Sequence, residues 1–207
     1  NPSSVGNSSD QVAMHQRDGA EDWSFVSFSV PGFDDLSAYA SGQKVFTIDV
    51  YSDAPGSAIS LTLQNKAAAT DEYPAGRYAS FTGTTTLSNT WETVILSFET
   101  IADVTMDGSE IDEIQINFDN GNINDNIYYF DNIMGPEITG GNNTTCNWVD
   151  PSPDFTIEDF ECYSYASGWT VVAPATIDNL VDNPSSVGNS SDQVAMHQRD
   201  GAEDWSF

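Results

Sequence analysis

Carboxylates are the most abundant charged side chains in this sequence, which contains 32 Asp and Glu residues, and such groups can bind metal ions or take part in catalysis. Residues 107–110 (DGSE) and 119–121 (DNG) are rich in the hard oxygen ligands that Ca²⁺ prefers. Neither stretch has the spacing of an EF-hand loop. Short runs of Asp, Asn and Gly are typical of turns, and we interpret both stretches as turns.

Catalysis has little support among the remaining reactive residues. His15 and His197 are the two histidines, and neither accompanies a nucleophile-elbow motif. Paired carboxylates can hydrolyse glycosides, but in so acidic a chain some pairing along the sequence is inevitable. The sequence therefore favours a non-catalytic protein.

The cysteines Cys146 and Cys162 suggest a disulfide. An even count in an acidic chain of extracellular character favours a disulfide over a metal site. Closing a loop of about 15 residues would stabilise the fold by roughly 3 kcal/mol in the chain-entropy model. Two unrelated thiols are the alternative.

Exposed aromatic residues beside polar groups could bind a sugar, because pyranose rings stack on Trp and Tyr. The candidates are Tyr73, Arg77 and Tyr78, near a loop that contains Pro and Gly, and Trp23. No cluster of aromatic residues at alternate strand positions forms an evident platform. Packing in the core or between modules is therefore preferred over sugar contact for these side chains.

The charge balance excludes several partners. Five Lys and Arg residues stand against the 32 acids, which gives a formal charge of -27. A nucleic-acid partner needs a basic surface, and an anionic membrane surface is disfavoured by the same sign. No apolar run of about 18 residues predicts a membrane-spanning helix. Because the sequence starts at Asn1, we expect an excerpt of a longer or processed, secreted protein.

The sequence contains an internal repeat. Residues 1–25 (NPSSVGNSSDQVAMHQRDGAEDWSF) recur without a substitution as residues 183–207. Asn1 returns as Asn183, so the period is 182 residues, and removing the second copy leaves 28 acids against 4 bases, a charge of -24 per period. The repeat predicts a tandem array of near-identical modules, with an artificial duplication as the alternative. Such an acidic array would be extended by self-repulsion or would bind cations.

The elements that must position these residues are short strands. Apolar residues alternate with polar ones in four segments: Phe46, Ile48, Val50; Ile59, Leu61, Leu63; Val94, Leu96, Phe98; and Ile114, Ile116, Phe118. Further strands are predicted at residues 11–15, 23–30, 77–81, 127–133, 155–161 and 169–172. Turn signals separate them, so the prediction is an all-β antiparallel sandwich or jelly roll, tandemly repeated.

Composition divides the chain into three parts. Residues 135–153 are rich in Gly, Asn, Thr and Pro and are predicted to be a linker. Residues 1–134 would be a β-sandwich module that lacks its first strands. Residues 154–207 would be the opening strands of the next identical module.

The order of several short motifs resembles a known family. These motifs are DFTIEDFE, SGW, DNPSSVGNSSDQV, KVFTIDVYS, NTWETVILSF, INFDNG and IYYFDNI. The order is similar to that of carbohydrate-binding-module-like, galactose-binding-like jelly rolls of secreted multidomain proteins in Bacteroidota-type bacteria. The resemblance implies a structural calcium ion at the positions matched by Glu161 and Asp131, which would join the first and last strands of a module. If modules close on themselves, these two residues belong to different sites, because Glu161 opens the following module. Solvated strand-end carboxylates are the alternative.

Two functions follow as hypotheses. The first is a non-catalytic repeat of a giant secreted surface protein that forms an extracellular filament or adhesin stalk for attachment, gliding or prey capture. Its partners would be neighbouring modules and other copies of the chain. The second is a carbohydrate-binding module that anchors a secreted glycanase or adhesin to polysaccharide.

Overall fold

The computed structural model describes residues 1–9, 11–70 and 72–139 in full. It also describes the backbone of four strands at residues 155–158, 167–172, 176–182 and 193–198. Among these residues the chain is almost entirely antiparallel β-structure. The all-β prediction is confirmed.

Twelve strands, one short helix and one 3₁₀ turn form the described structure. In chain order they are β1 (Ala13–Gln16), β2 (Phe25–Ser29), α1 (Ser37–Ala40), β3 (Phe46–Ser52), β4 (Ala58–Gln64), β5 (Arg77–Thr84), β6 (Thr90–Ile101), the 3₁₀ turn (Gly108–Glu110), β7 (Glu113–Phe118), β8 (Ile127–Gly135), β9 (Phe155–Glu158), β10 (Ser167–Val172), β11 (Thr176–Asp182) and β12 (Gln193–Gln198). No helix among the described residues is long and apolar enough to cross a bilayer.

The strands form two sheets that share β6. Sheet A has the order β1-β8-β3-β6, and sheet B has the order β6-β5-β4-β7-β2-β10. The first half of β6 pairs with β3 and the second half pairs with β5. Strand β9 pairs with the last residues of β8, beyond the four residues that pair with β1. One continuous strand therefore links the two layers.

Gly83 on β5 allows β6 to pass from one sheet to the other. A Cβ atom at Gly83 would lie 2.3 Å from the carbonyl oxygen of Ile95 and 2.8 Å from Cγ1 of Val94. Any larger residue at this position would displace the backbone of β6. The close approach explains why a glycine interrupts an otherwise regular strand.

The core lies between the inner faces of the two sheets. The alternation predicted for the four segments is confirmed, because their apolar residues are buried, with Phe98 half-buried at the edge. Aromatic side chains fill the centre: the rings of Phe46 and Phe81 lie 4.7 Å apart, and those of Phe118 and Phe130 lie 5.3 Å apart. Such pairs add stabilisation to the burial of apolar area.

Strands β9 to β12 follow the predicted linker and pair with different partners. Strand β9 pairs with β8, β10 pairs with β2, and β11 pairs with β12. Strand β11 is absent from the sequence prediction, because the segment TIDNLVD lacks regular alternation and its pairing shifts register between Asp178 and Val181. The division of the chain at 134 and 154, and the tandem repetition of the fold, stay predictions.

Candidate functional site

The N-terminal segment, residues 1–9, covers part of the outer face of sheet A. The indole nitrogen of Trp91 on β6 donates to the Asn1 side-chain oxygen at 3.1 Å and to the Ser3 carbonyl at 2.9 Å. Gly6 allows the close approach, since its Cβ would lie 3.1 Å from Cβ of Trp91. This segment encloses the space in which Asp131 lies.

Asp131 is fully buried beneath that segment. It lies on β8 directly opposite Asp49 of β3, next to a register shift at which Asn132 adopts a positive φ of 47°. Its carboxylate accepts from Asn7 Nδ2 at 2.8 Å and from the backbone N–H of Asn132 at 2.8 Å. The neighbouring carboxylate of Asp49 accepts from Thr93 at 2.6 Å and from the Asn132 side chain at 2.8 Å.

Burial raises the pKa of Asp131 to about 7. Hydrogen bonds from Ser9, Asn7 and Asn132 lower this pKa but do not compensate for desolvation, and the charge of Asp49 raises it further. The site therefore holds a carboxylate whose negative charge is only partly neutralised near neutral pH.

The carboxylates of this site suit a hard cation, but the described residues supply too few ligands to complete its coordination. Ca²⁺ takes six to eight oxygen ligands. Among the described residues, no three His, Cys, Asp or Glu side chains come together to hold a metal ion. Glu161, the second predicted ligand, lies outside the described residues. Calcium at Asp131 therefore stays a prediction.

A second candidate site is the outer face of sheet B, which we call the polar face. Register places polar residues side by side across its strands: Gln115 lies between Ser27 and Thr62, and Asn117 lies beside Ser60. Gln115 Nε2 donates to Asn117 Oδ1 at 3.0 Å. The polar face is defined by Ser27, Ser60, Thr62, Gln64, Ser80, Thr82, Glu113, Gln115 and Asn117. Rows of amides and hydroxyls provide both donors and acceptors.

Glu113 is the centre of a buried polar cluster at one end of this face. It forms an ion pair with Lys66 at 3.0 Å and accepts from Gln64 Nε2 and from the Ser27 hydroxyl at 3.3 Å. Gln64 Oε1 is buried and has no hydrogen-bond partner among the described residues.

The four predicted sugar-binding residues lie at opposite ends of the polar face. Arg77 is the register partner of Gln64, and Tyr73 and Tyr78 are close to it in sequence. Trp23 instead precedes β2 at the end where Phe25 pairs with Asn117, and its ring centroid lies 6.2 Å from that of Phe25. Trp23 thus lies at the other end of the face from Arg77, and Tyr73 and Tyr78 are neighbours of Arg77 along the chain.

Of those three, only Tyr73 presents an open ring. Its side chain is 69% exposed, whereas Tyr78 packs against the core. The guanidinium of Arg77 donates to the carbonyl oxygens of Thr70 and Ala75, which fixes its position.

The two oxygen-rich stretches are turns, as predicted. Asp107 caps the 3₁₀ turn by accepting from Ser109, and Glu110 accepts from the backbone N–H of Asp107 at 2.9 Å. Asp119 has a φ of 54° and accepts from Asn122 and Asn124. Cys146 and Cys162 lie outside the described residues, so the disulfide stays a prediction.

Sequence reasoning missed a buried cation, Arg17. Its side chain is 1% exposed, and its guanidinium donates to the carbonyl oxygens of Phe118, Glu21 and Asn122. Nε of Arg17 has no partner among the described residues. A single Arg after a predicted strand gives no signal of burial, because arginine is mostly exposed in proteins.

His15 was also unassigned by the sequence. It is buried, its Nε2 lies 2.6 Å from the hydroxyl of Ser24, and its ring stacks on Phe118 with the centroids 4.9 Å apart. Ser24 is buried as well. Because neither group is open to a substrate, we interpret the pair as a core contact.

Comparison of the chain with protein-family models, with curated proteins and with solved structures gave no match. The resemblance to carbohydrate-binding-module-like jelly rolls therefore stays a prediction.

Proposed function

We propose that this chain is part of a non-catalytic structural array, a repeated β-sandwich of an extracellular filament or adhesin stalk. The observation that carries the proposal is the recurrence of residues 1–25 as residues 183–207. Identical neighbours carry a hazard of misfolding and domain swapping. They are advantageous where each module must present the same surface to the next module or to another chain.

Two further observations support a structural role. The repeated stretch contains an element of the fold, because the sequence of strand β1 (AMHQ) recurs within β12 (QVAMHQ) and both strands pair in sheets. The charge of -24 per period keeps an array soluble and extended. Calcium at Asp131, as the resemblance implies, would neutralise a buried part of that charge.

Electron microscopy of the secreted parent protein tests this proposal. We expect filaments of uniform width in which several chains associate in register, since every module presents the same surface. Dispersed single particles without lengthwise order, imaged at the same protein concentration, would contradict a filament role.

Carbohydrate binding at the polar face is the second candidate, and the rows of partly exposed amides and hydroxyls on that face favour it. The polar face offers many hydrogen-bonding groups, with the exposed ring of Tyr73 in the loop at its Gln64 end. The half-buried groups of this face, such as Thr62 and Gln115, can donate to and accept from the hydroxyls of a sugar.

Affinity electrophoresis of the chain in gels containing bacterial and algal polysaccharides tests this second candidate. We expect retardation by one of them, lost in Gln115→Ala, which removes an amide from the middle of the polar face. Thr47→Ala on sheet A is the matched control and should keep the retardation. Equal migration of Gln115→Ala and the wild type would exclude the polar face as the binding surface.

A further inference from the structure

Strands β9, β10 and β11 connect parts of the chain that lie on both sides of them in the sequence. We call residues 155–182, which contain these strands, the closing segment. Strands β9 and β10 extend sheets A and B of the sandwich formed by the preceding residues. Strand β11 pairs with β12, which belongs to the second copy of the repeated stretch. The closing segment thus joins one copy of the repeat to the next.

Because of the repeat, the sequence with which β11 pairs occurs twice in the chain. Strand β12 and residues 11–16 have the same sequence, QVAMHQ, so the β11 partners His197 and Met196 correspond to His15 and Met14 of β1. Strand β1 pairs through one edge with β8, and no described strand pairs with its other edge. Strand β12 comes close to β1 without pairing with it. A strand that fits β12 therefore fits β1 of any copy.

The connection that precedes the closing segment is long enough for the segment to reach a neighbouring copy. Strand β8 ends at Gly135 and β9 begins at Phe155, so 19 residues (136–154) join two adjacent antiparallel strands. Hairpin loops usually have two to five residues. Residues 136–139 stay on the sandwich, since Ile138 is buried and bridges to Phe33, and the other 15 residues can span up to about 50 Å when extended. The same connection could therefore place β9 on β8 of a neighbouring copy.

The acceptor site for β9 is shaped for it. Ile157 is fully buried in the core cluster. Gly135 of β8 leaves room for this side chain, because a Cβ atom at Gly135 would lie 2.9 Å from Cδ1 of Ile157 and 2.5 Å from the ring of Phe46. A copy that receives β9 gains a buried side chain together with backbone hydrogen bonds. Exchange between copies preserves all of these contacts, which is the condition for domain swapping.

We propose that the closing segment is exchanged between copies of this chain. Its β9 and β10 complete the sandwich of a second copy, and its β11 pairs with β1 of a copy as it does with the identical β12. The inference deepens the proposed structural function, because it names the joint by which modules or chains associate.

A mixed cross-linking experiment on the full chain tests the exchange. Both versions carry Cys146→Ser and Cys162→Ser, so that only introduced thiols react. One version carries Ser27→Cys and a size tag, and the other carries Thr170→Cys. Residues 27 and 170 are directly paired in the β2–β10 ladder, and paired Cα atoms are within disulfide reach. The two versions are refolded together from urea, oxidised and separated on a non-reducing gel.

Two controls make the result specific. Ser80→Cys replaces Ser27→Cys in the first control, because Ser80 belongs to the same polar face but lies on β5, three strands from β2. A chain with both Ser27→Cys and Thr170→Cys, refolded at high dilution, reports whether β10 pairs with β2 in its own chain.

Exchange predicts a disulfide-linked heterodimer from the Ser27→Cys and Thr170→Cys mixture and none from the Ser80→Cys mixture. The proposal is overturned if the first mixture gives no more heterodimer than the control while the double variant forms its internal link, because β10 then pairs with β2 within one chain. Loss of the heterodimer while the parent protein still forms filaments would reject strand exchange and leave the structural function in place.

Discussion

Replacing Arg17 with methionine should lower the free energy of unfolding by about 1–3 kcal/mol, because the buried carbonyl oxygen of Phe118 would be left without this donor. The guanidinium binds three backbone carbonyl oxygens, and that of Phe118 ends strand β7. Methionine fills much of the volume but donates no hydrogen bond. Urea denaturation followed by tryptophan fluorescence gives the change in unfolding free energy.

Arg77→Met is the matched control for Arg17→Met. Arg77 also donates to backbone carbonyls, but that of Thr70 belongs to an exposed loop, where water replaces the lost donor. We expect a change within about 0.5 kcal/mol there, as for most surface substitutions. Arg17→Lys should fall between the two, because it keeps the charge but loses the planar arrangement of donors. Equal effects of Arg17→Met and Arg77→Met would show that the buried carbonyls find other donors.

Raising the pH from 4 to 7 should destabilise the calcium-free chain through Asp131. The pKa of this carboxyl is about 7 in the folded chain, compared with a usual value of 3.8. The folded state therefore holds a proton that the unfolded state has released. Its contribution to stability is fully present below the unfolded pKa and is lost as the pH rises through the folded pKa. At about 1.4 kcal/mol per pKa unit, the loss is on the order of 3–4 kcal/mol.

Asp131→Asn isolates this contribution, because asparagine does not titrate. Unfolding free energies measured in chelator at several pH values should fall with pH in the wild type and change less in the variant. Other titrating groups cancel in the difference. Asp35→Asn is the control, because its carboxylate is exposed and its pKa is already lowered by hydrogen bonds from Ser37. Parallel pH curves for the wild type and Asp131→Asn would show that Asp131 is not the group responsible.

Calcium extends the same experiment. If the ion takes the place of the proton at Asp131, Ca²⁺ should raise the melting temperature of the wild type near pH 8 and have little effect below pH 5. Asp131→Asn should show no calcium response at either pH. An unchanged melt of the wild type in calcium and in chelator would remove calcium from the site.

The sandwich could be predicted from the sequence because the alternation of apolar and polar residues that marks each strand is a local pattern. Alternation in segments such as 46–50 and 114–118 reports which side of a strand is buried, and these residues line the core. Sheet order could not be read in this way, because pairing depends on contacts between distant residues. The passage of β6 between sheets is an example, since its only sequence signal is a glycine, Gly83, on another strand.

The candidate sites were harder to predict from the sequence than the fold. Asp131 was selected by resemblance, but its burial depends on Asn7 and the N-terminal segment, which are more than 120 residues away in sequence. The polar face was missed because Ser, Thr and Gln at alternate positions read only as the solvent side of strands. The burial of Arg17 arises from carbonyls of residues 118 and 122, whose positions follow from the fold.

Strand β6 also determines how the sandwich would carry a mechanical load. Residues 90–96 belong to one sheet and residues 97–101 belong to the other. Sheets held together by side-chain packing alone can slide under shear, whereas a strand that belongs to both resists sliding through covalent bonds. Tension applied across the two layers is thus transmitted along the backbone of β6. For the sheets to separate, one half of β6 must first lose its backbone hydrogen bonds to β3 or β5.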